Sequence, residues 1–133
     1  MWDLNVKSTF FTIKEAVPLL EKGLHPNILI MSSVAAKNPG MLVGVYSMTK
    51  AVMNSMTEVL AFELRHEGIR VNALAPGIIK TNFAKSLWEN PAVDKSTIGT
   101  PEQCASFAAA ICSDDGSWCN GEVYYLHGGF AKI

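Results

Sequence analysis

The sequence predicts an α/β fold: a parallel sheet of about three strands with flanking helices. Three observations predict it. Along the 133 residues the segments run helix, strand, helix, strand, helix, helix, strand. The strand-like segments are short, continuous apolar runs, the pattern of strands inside a parallel sheet. The helical segments carry apolar residues three and four apart.

The first helix spans residues 3–22. Leu4, Val6, Phe10, Phe11, Ile13, Val17, Leu19 and Leu20 give it a wide apolar face. Asp3 is its expected N-cap, Pro18 should kink its last turns and Gly23 should stop it. Asn27–Ser32 follows as a fully buried strand, then a polar, glycine-containing loop from Ser33 to Gly44. A second helix covers Tyr46–Arg65, with Met48, Val52, Met56, Val59, Leu60 and Leu64 as apolar positions, and Gly68 ends the connection. Arg70–Ala75 is the second strand, stopped by Pro76 and Gly77. Residues 81–88 read as a helix and 90–100 as a polar loop. Thr100 as cap and Pro101 in the first turn open a helix to Cys112. A turn at Asp114–Ser117 leads to the last strand, Glu122–Leu126. No repeat, low-complexity tract or linker divides the chain, and no glycine-rich turn follows a strand near its start. Three parallel strands leave a long edge to be covered, so the chain reads as part of a larger fold.

Composition narrows the function classes. Apolar residues make up 49% and charged residues 17%, which describes a globular domain. Lys and Arg number 11 against 12 Asp and Glu, with no basic stripe, so nucleic acid is not an expected partner. No apolar run approaches the roughly 20 residues of a membrane span. His25, His66 and His127 lack metal-ligand spacing, and no metal is expected. Cys104, Cys112 and Cys119 contain no C-x-x-C pair and read as free, mostly buried thiols of a reducing compartment. The first residues lack the pattern of a secretory signal, which suits a cytoplasmic location. The last three, Ala131-Lys132-Ile133, are a near-miss to the small-basic-aliphatic peroxisomal address.

The chemistry lies in Ser33, Tyr46 and Lys50. Ser33 stands at the carboxyl end of a strand, where open α/β sheets bind ligands. Tyr46 and Lys50 are four apart, on one helix face. Carbonyl reduction needs a proton donor at the oxygen. A phenol can be that donor, a nearby ammonium favours the phenolate it leaves, and a serine hydroxyl can orient the substrate oxygen. Taken alone, a tyrosine–lysine pair is more often an amphipathic tyrosine beside a solvated lysine, and the serine tips that balance only a little.

The full pattern, S-x12-Y-x3-K, together with Ile28-Leu29-Ile30-Met31-Ser32-Ser33, Tyr46-Ser47-Met48-Thr49-Lys50, Arg70-Val71-Asn72-Ala73-Leu74-Ala75-Pro76-Gly77 through Thr81, and Asn120-Gly121-Glu122 through Gly129, resembles the short-chain dehydrogenases/reductases. Within that family it is most similar to the dehydrogenase/reductase member 4 and tropinone-reductase-like groups. The resemblance covers nearly the whole chain. It implies a Rossmann-like, doubly wound sheet, of which residues 1–133 are the carboxyl-terminal part of a single domain without the dinucleotide-binding half. It implies reduction of a ketone or aldehyde, reversible as alcohol oxidation, with NADP(H) favoured over NAD(H).

Residue by residue, the resemblance implies that Ser33 orients the carbonyl and Tyr46 exchanges the proton. Lys50 would favour the phenolate and bind the nicotinamide ribose. Asn5 would hold a water linking Lys50 to solvent, or serve simply in capping or a strand contact. Pro76 and Gly77 would shape the nicotinamide wall, and Ile79 and Thr81 would meet the carboxamide, with Thr81 also a natural helix N-cap. Met48, Met53 and Met56 are expected in the core or at a subunit interface. A homo-oligomer, dimer or tetramer, paired through the Tyr46 helix and the one before it, is also implied. The sequence departs from the family in lacking the glycine-rich phosphate turn, so these residues alone should bind NADPH weakly or not at all. The stretch from Trp88 to Pro101 is also short for the substrate-capping segment. The alternative to an enzyme is an inactive subunit-pairing or binding module.

Overall fold

A computed structural model describes residues 1–40 and 43–129. Residues 131–133, with their peroxisome-like tripeptide, lie outside the described residues. A three-stranded parallel sheet, ordered β1 (Asn27–Met31), β2 (Arg70–Pro76), β3 (Val123–Leu126), forms the centre. Helix α1 (Ser8–Leu20) is entered through a π-helical turn, Asp3–Lys7. Helix α2 (Gly44–Glu63) joins β1 to β2, followed by a 3-10 turn, Leu64–Glu67. The short α3 (Lys85–Trp88) and α4 (Pro101–Cys112) lie between β2 and β3.

Side chains alternate between the faces of a strand, and this alternation sorts the helices. Val71 and Ala73 of β2 pack with Ile13 of α1 and with Met53, Leu60 and Ala61 of α2. Their neighbours turn the other way: Arg70 bonds the Ile111 carbonyl in α4, and Tyr124 of β3 meets Phe107 of α4 edge-on at 5.2 Å. Helices α1 and α2 therefore cover one face and α4 the other, a doubly wound arrangement. Strand β2 is buried from Val71 to Ala75 because, among the described strands, it alone has a strand on both sides.

Strand β1 corrects the expectation of full burial. Only Ile30 is buried in it, and Met31 is half exposed. The reason is its position at the sheet edge. Pro26 and Ser32 turn their backbone groups toward β2, through Arg70 N–H to Pro26 O (3.1 Å) and Ser32 N–H to Leu74 O (2.7 Å). By alternation, Asn27, Leu29 and Met31 direct theirs to the open edge, where no described strand pairs with β1.

Other boundaries shift for local reasons. Asp3 is not a cap: it is already helical, and its carboxylate pairs with Lys7 at 2.7 Å. Helix α1 ends at Leu20, and the left-handed residue after it is His25 (φ 52°) rather than Gly23. The segment 81–84 is a turn, leaving α3 only four residues. The loop 90–100 contains a 3-10 turn, Lys95–Thr97, and pairs Gly99 with Ile79 in a parallel bridge. Helix α4 has the predicted start: the Thr100 hydroxyl accepts from Gln103 N–H, and the Gln103 side chain accepts from Thr100 N–H. The cysteines are free but not buried, Cys112 being exposed. Met53 is core, whereas Met48 is exposed. No helix among the described residues is long and apolar enough to cross a membrane.

Candidate active site

Chain order brings the end of β1, the start of α2 and the π-helical turn together. Beyond β1, Ser33 is extended (φ −161°, ψ 153°), and its Oγ accepts from Ala35 N–H at 3.2 Å. It thereby caps a 3-10 turn, Val34–Ala36, that packs against α2. Tyr46 lies in the first turn of α2 and is partly exposed. Lys50, one turn later, is buried. Its Nζ donates to the Met31 carbonyl at 2.7 Å and stands 5.5 Å from the centroid of the Tyr46 ring. The acceptor is one of the carbonyls that β1 turns to the open edge. An ammonium has three donors, so that bond leaves Nζ capacity toward Tyr46. Burial pushes the Lys50 ammonium below the ordinary lysine range.

Asn5 bridges two elements. Its amide donates to Thr49 Oγ1 at 3.0 Å, and Thr49 Oγ1 donates to the Tyr46 carbonyl at 2.7 Å. The Asn5 carbonyl accepts from the Thr9 hydroxyl at 2.7 Å. Thr49 is fully buried, so this relay locks the π-helical turn to the Tyr46 turn. The side chain of Asn5 thus caps nothing.

Pro76, Gly77, Ile79 and Thr81 gather at the carboxyl ends of β2 and β3. Pro76 pairs with Leu126, and Gly77 N–H bonds Leu126 O at 2.7 Å. A Cβ on Gly77 would stand 3.0 Å from His127 Cα, so close strand packing accounts for this glycine. Thr81 N–H bonds the Ile79 carbonyl at 2.8 Å, and Thr81 Oγ1 accepts from Ala84 N–H at 3.4 Å. A cavity of about 430 Å³ opens here, lined by Ile78, Ile79, Ile98, Gln103, Leu126 and His127 among others. Ser33, Tyr46 and Lys50 do not line it. The predicted residues thus form two groups, one at the end of β1 and one at the ends of β2 and β3.

Sequence reading missed Ser32, Thr49, Asn54 and Tyr125. Ser32 Oγ donates to Asn54 Oδ1 at 2.5 Å, and Asn54 Nδ2 donates to Tyr125 Oη at 3.0 Å. Asn54 lies four residues beyond Lys50, a spacing that could have flagged it. Nothing local to Tyr125 signals its partner 71 positions away.

Residues 1–131 match the sequence profile described as enoyl-(acyl carrier protein) reductase. Dehydrogenase/reductase SDR family member 4 of Oryctolagus cuniculus is 40% identical over 96% of this chain and 52% of its own length. The chain belongs to the short-chain dehydrogenase/reductase family. It spans about half the length of the curated relatives it matches. Among solved members of the family, a 7α-hydroxysteroid dehydrogenase complexed with NADH and 7-oxo glycochenodeoxycholic acid has a TM-score of 0.88 and 31% identity, covering 97% of this chain and 53% of that one. L-sorbose reductase from Gluconobacter frateurii, complexed with NADPH and L-sorbose, has a TM-score of 0.88 and 26% identity, covering 99% and 57%. Nicotinamide cofactors and small-molecule substrates are thus found in this family.

Proposed function

We propose that the protein catalyses NAD(P)H-dependent reduction of a ketone or aldehyde, and the reverse oxidation of an alcohol, with Tyr46 as proton donor and acceptor. The observation that carries this reading is the buried Lys50 ammonium beside the Tyr46 ring. In the proposed step Ser33 orients the substrate oxygen, and Tyr46 gives its phenolic proton to that oxygen as the alcohol forms. Lys50 stabilises the phenolate left behind, and Asn5, through Thr49, fixes the Tyr46 turn.

The donor set fits the nicotinamide end of a dinucleotide. Lys50 offers an ammonium for ribose hydroxyls, and Thr81 with the Ile79 backbone offers polar groups for a carboxamide. Tyr46 would also line this cofactor end, and Pro76 and Gly77 would close its wall. When bound, the nicotinamide supplies the hydride. No glycine-rich turn in these residues suits a pyrophosphate. Residues 1–133 therefore serve as the carboxyl-terminal part of one catalytic domain. NADP(H) is proposed over NAD(H) on the resemblance to the member 4 group; of the two solved relatives above, L-sorbose reductase holds NADPH and the 7α-hydroxysteroid dehydrogenase NADH. Pairing of copies through α1 and α2 is supported by their exposed Phe10, Phe11, Val59 and Phe62. The same exposed side chains favour a second reading, a module that pairs subunits without turnover. The Ala131-Lys132-Ile133 tail keeps a peroxisomal location beside a cytoplasmic one.

The test is cofactor oxidation by the full-length protein with a panel of ketones and aldehydes. Carbonyl-dependent oxidation, faster with NADPH than NADH, is expected. No turnover of any carbonyl, with pairing intact, would instead support the module.

A further inference from the structure

We infer that Asn54 and Tyr125 are positioning residues that brace the Ser33 turn against the helix carrying Tyr46 and Lys50; this rests on the reading proposed above. Ser32, next to Ser33, is almost wholly buried, and its hydroxyl lies 3.2 Å from the Lys50 carbonyl. A hydroxyl has one proton to donate and the Lys50 carbonyl alone could take it, so the shorter bond to Asn54 is not needed for burial. What Asn54 adds is a connection. Its Oδ1 accepts from Ser32 Oγ at 2.5 Å, while its Nδ2 donates to Tyr125 Oη at 3.0 Å. Tyr125 in turn carries Lys37 Nζ over its ring, 5.6 Å from the centroid. Lys37 closes the turn that Ser33 caps, through its N–H to Val34 O at 3.1 Å.

The Ser33 turn is therefore held on both flanks. Ser32 before it is tied to α2 by Asn54, and Lys37 after it rests on Tyr125. Both ties meet at the bond between Asn54 and Tyr125, which anchors them to β3. Ser33 and Tyr46 come from different elements, and a misplacement of about 1 Å between reacting groups can cost on the order of 100-fold in rate. A brace spanning those elements acts where that error would arise.

The test is amide hydrogen exchange at Ala36 and Lys37 in Asn54→Leu, with Ala73 and Leu74 of β2 as reference amides. Tyr125→Phe, which keeps the ring over Lys37, is the second variant should Asn54→Leu fold poorly. Exchange at Ala36 and Lys37 is expected to quicken about tenfold in Asn54→Leu, and severalfold in Tyr125→Phe, with the β2 amides unchanged. The double variant should exchange no faster than Asn54→Leu, because the residues act in series. In the full-length protein, kcat should fall about tenfold with KM nearly unchanged. Unchanged exchange in the turn, or uniform quickening across turn and β2, would overturn the inference. Exchange does not depend on turnover, so failure of the brace is distinguishable from failure of the proposed reaction.

Discussion

Arg70 ties the end of α4 to the loop that leads into β3, and so to Tyr125. At the first residue of β2, its Nη1 donates to the carbonyls of Gly116 (2.7 Å) and Cys119 (3.2 Å), and the Ile111 carbonyl is shared between Nη1 (3.1 Å) and Nη2 (3.2 Å). These carbonyls belong to the last turn of α4 and to the loop leading into β3. Hydrogen bonds from a charged donor contribute about 1.5–3 kcal/mol each. The Ile111 carbonyl lies at a helix end, where water can replace a lost donor. The Cys119 carbonyl keeps a second donor, Asn72 Nδ2 at 2.8 Å, so at the lower figure for a partly exposed side chain Arg70→Met should cost ~1.5–3 kcal/mol. In a domain of this size that lowers Tm by roughly 5 °C or more. Urea unfolding followed by circular dichroism gives the difference directly. Arg70→Lys, which has a single nitrogen to distribute, should recover less than half of it. A loss below ~1 kcal/mol for Arg70→Met, or full recovery by Arg70→Lys, would refute the assignment of Arg70 as the tie between α4 and β3.

Two further predictions concern the site. Thr49→Val keeps the side-chain shape but strips the hydroxyl from the Asn5–Thr49–Tyr46 relay, leaving the half-buried Asn5 amide without that partner; a loss of ~1–2 kcal/mol in urea unfolding is expected, and a neutral result contradicts the relay. Burial lowers the pKa of Lys50, so the folded chain holds that proton less tightly than the unfolded chain. Stability should therefore rise with pH between the folded pKa and the ordinary lysine value, the penalty being fully present below that window and absent above it. Lys50→Met should flatten this rise in unfolding measurements taken from neutral to alkaline pH, and an unaltered profile would argue against a buried ammonium.

The parts of the fold legible in the sequence are those written in local pattern. Asn27–Met31, Arg70–Pro76 and Val123–Leu126 announce themselves as apolar runs between turn residues, and Thr100-Pro101 spells a helix start. What escaped depends on neighbours. An apolar run cannot say whether it has one strand beside it or two, so β1 was expected to be as buried as β2. Asp3 looks like a cap until Lys7 draws its carboxylate into an ion pair. Residues 81–84 read as the start of a helix, yet the Ile79–Gly99 bridge holds the chain extended just before them. At the candidate site, helical spacing puts Tyr46 and Lys50 on one face and Ser33 follows a strand, but it is the resemblance carried by the whole S-x12-Y-x3-K pattern, more than that spacing, that singles them out. Tyr125 was not legible, since its role depends on a contact made only after β3 joins the sheet.

The measurement that bears most directly on the proposed chemistry is the kcat of the full-length protein carrying Tyr46→Phe. Phenylalanine keeps the ring beside Lys50 and removes only the exchangeable proton. Positioned proton transfer is worth about 100- to 10,000-fold. Carbonyl reduction should therefore fall by at least about 100-fold, with the circular dichroism spectrum and Tm retained. Turnover within about tenfold of the unsubstituted protein would contradict the role given to Tyr46.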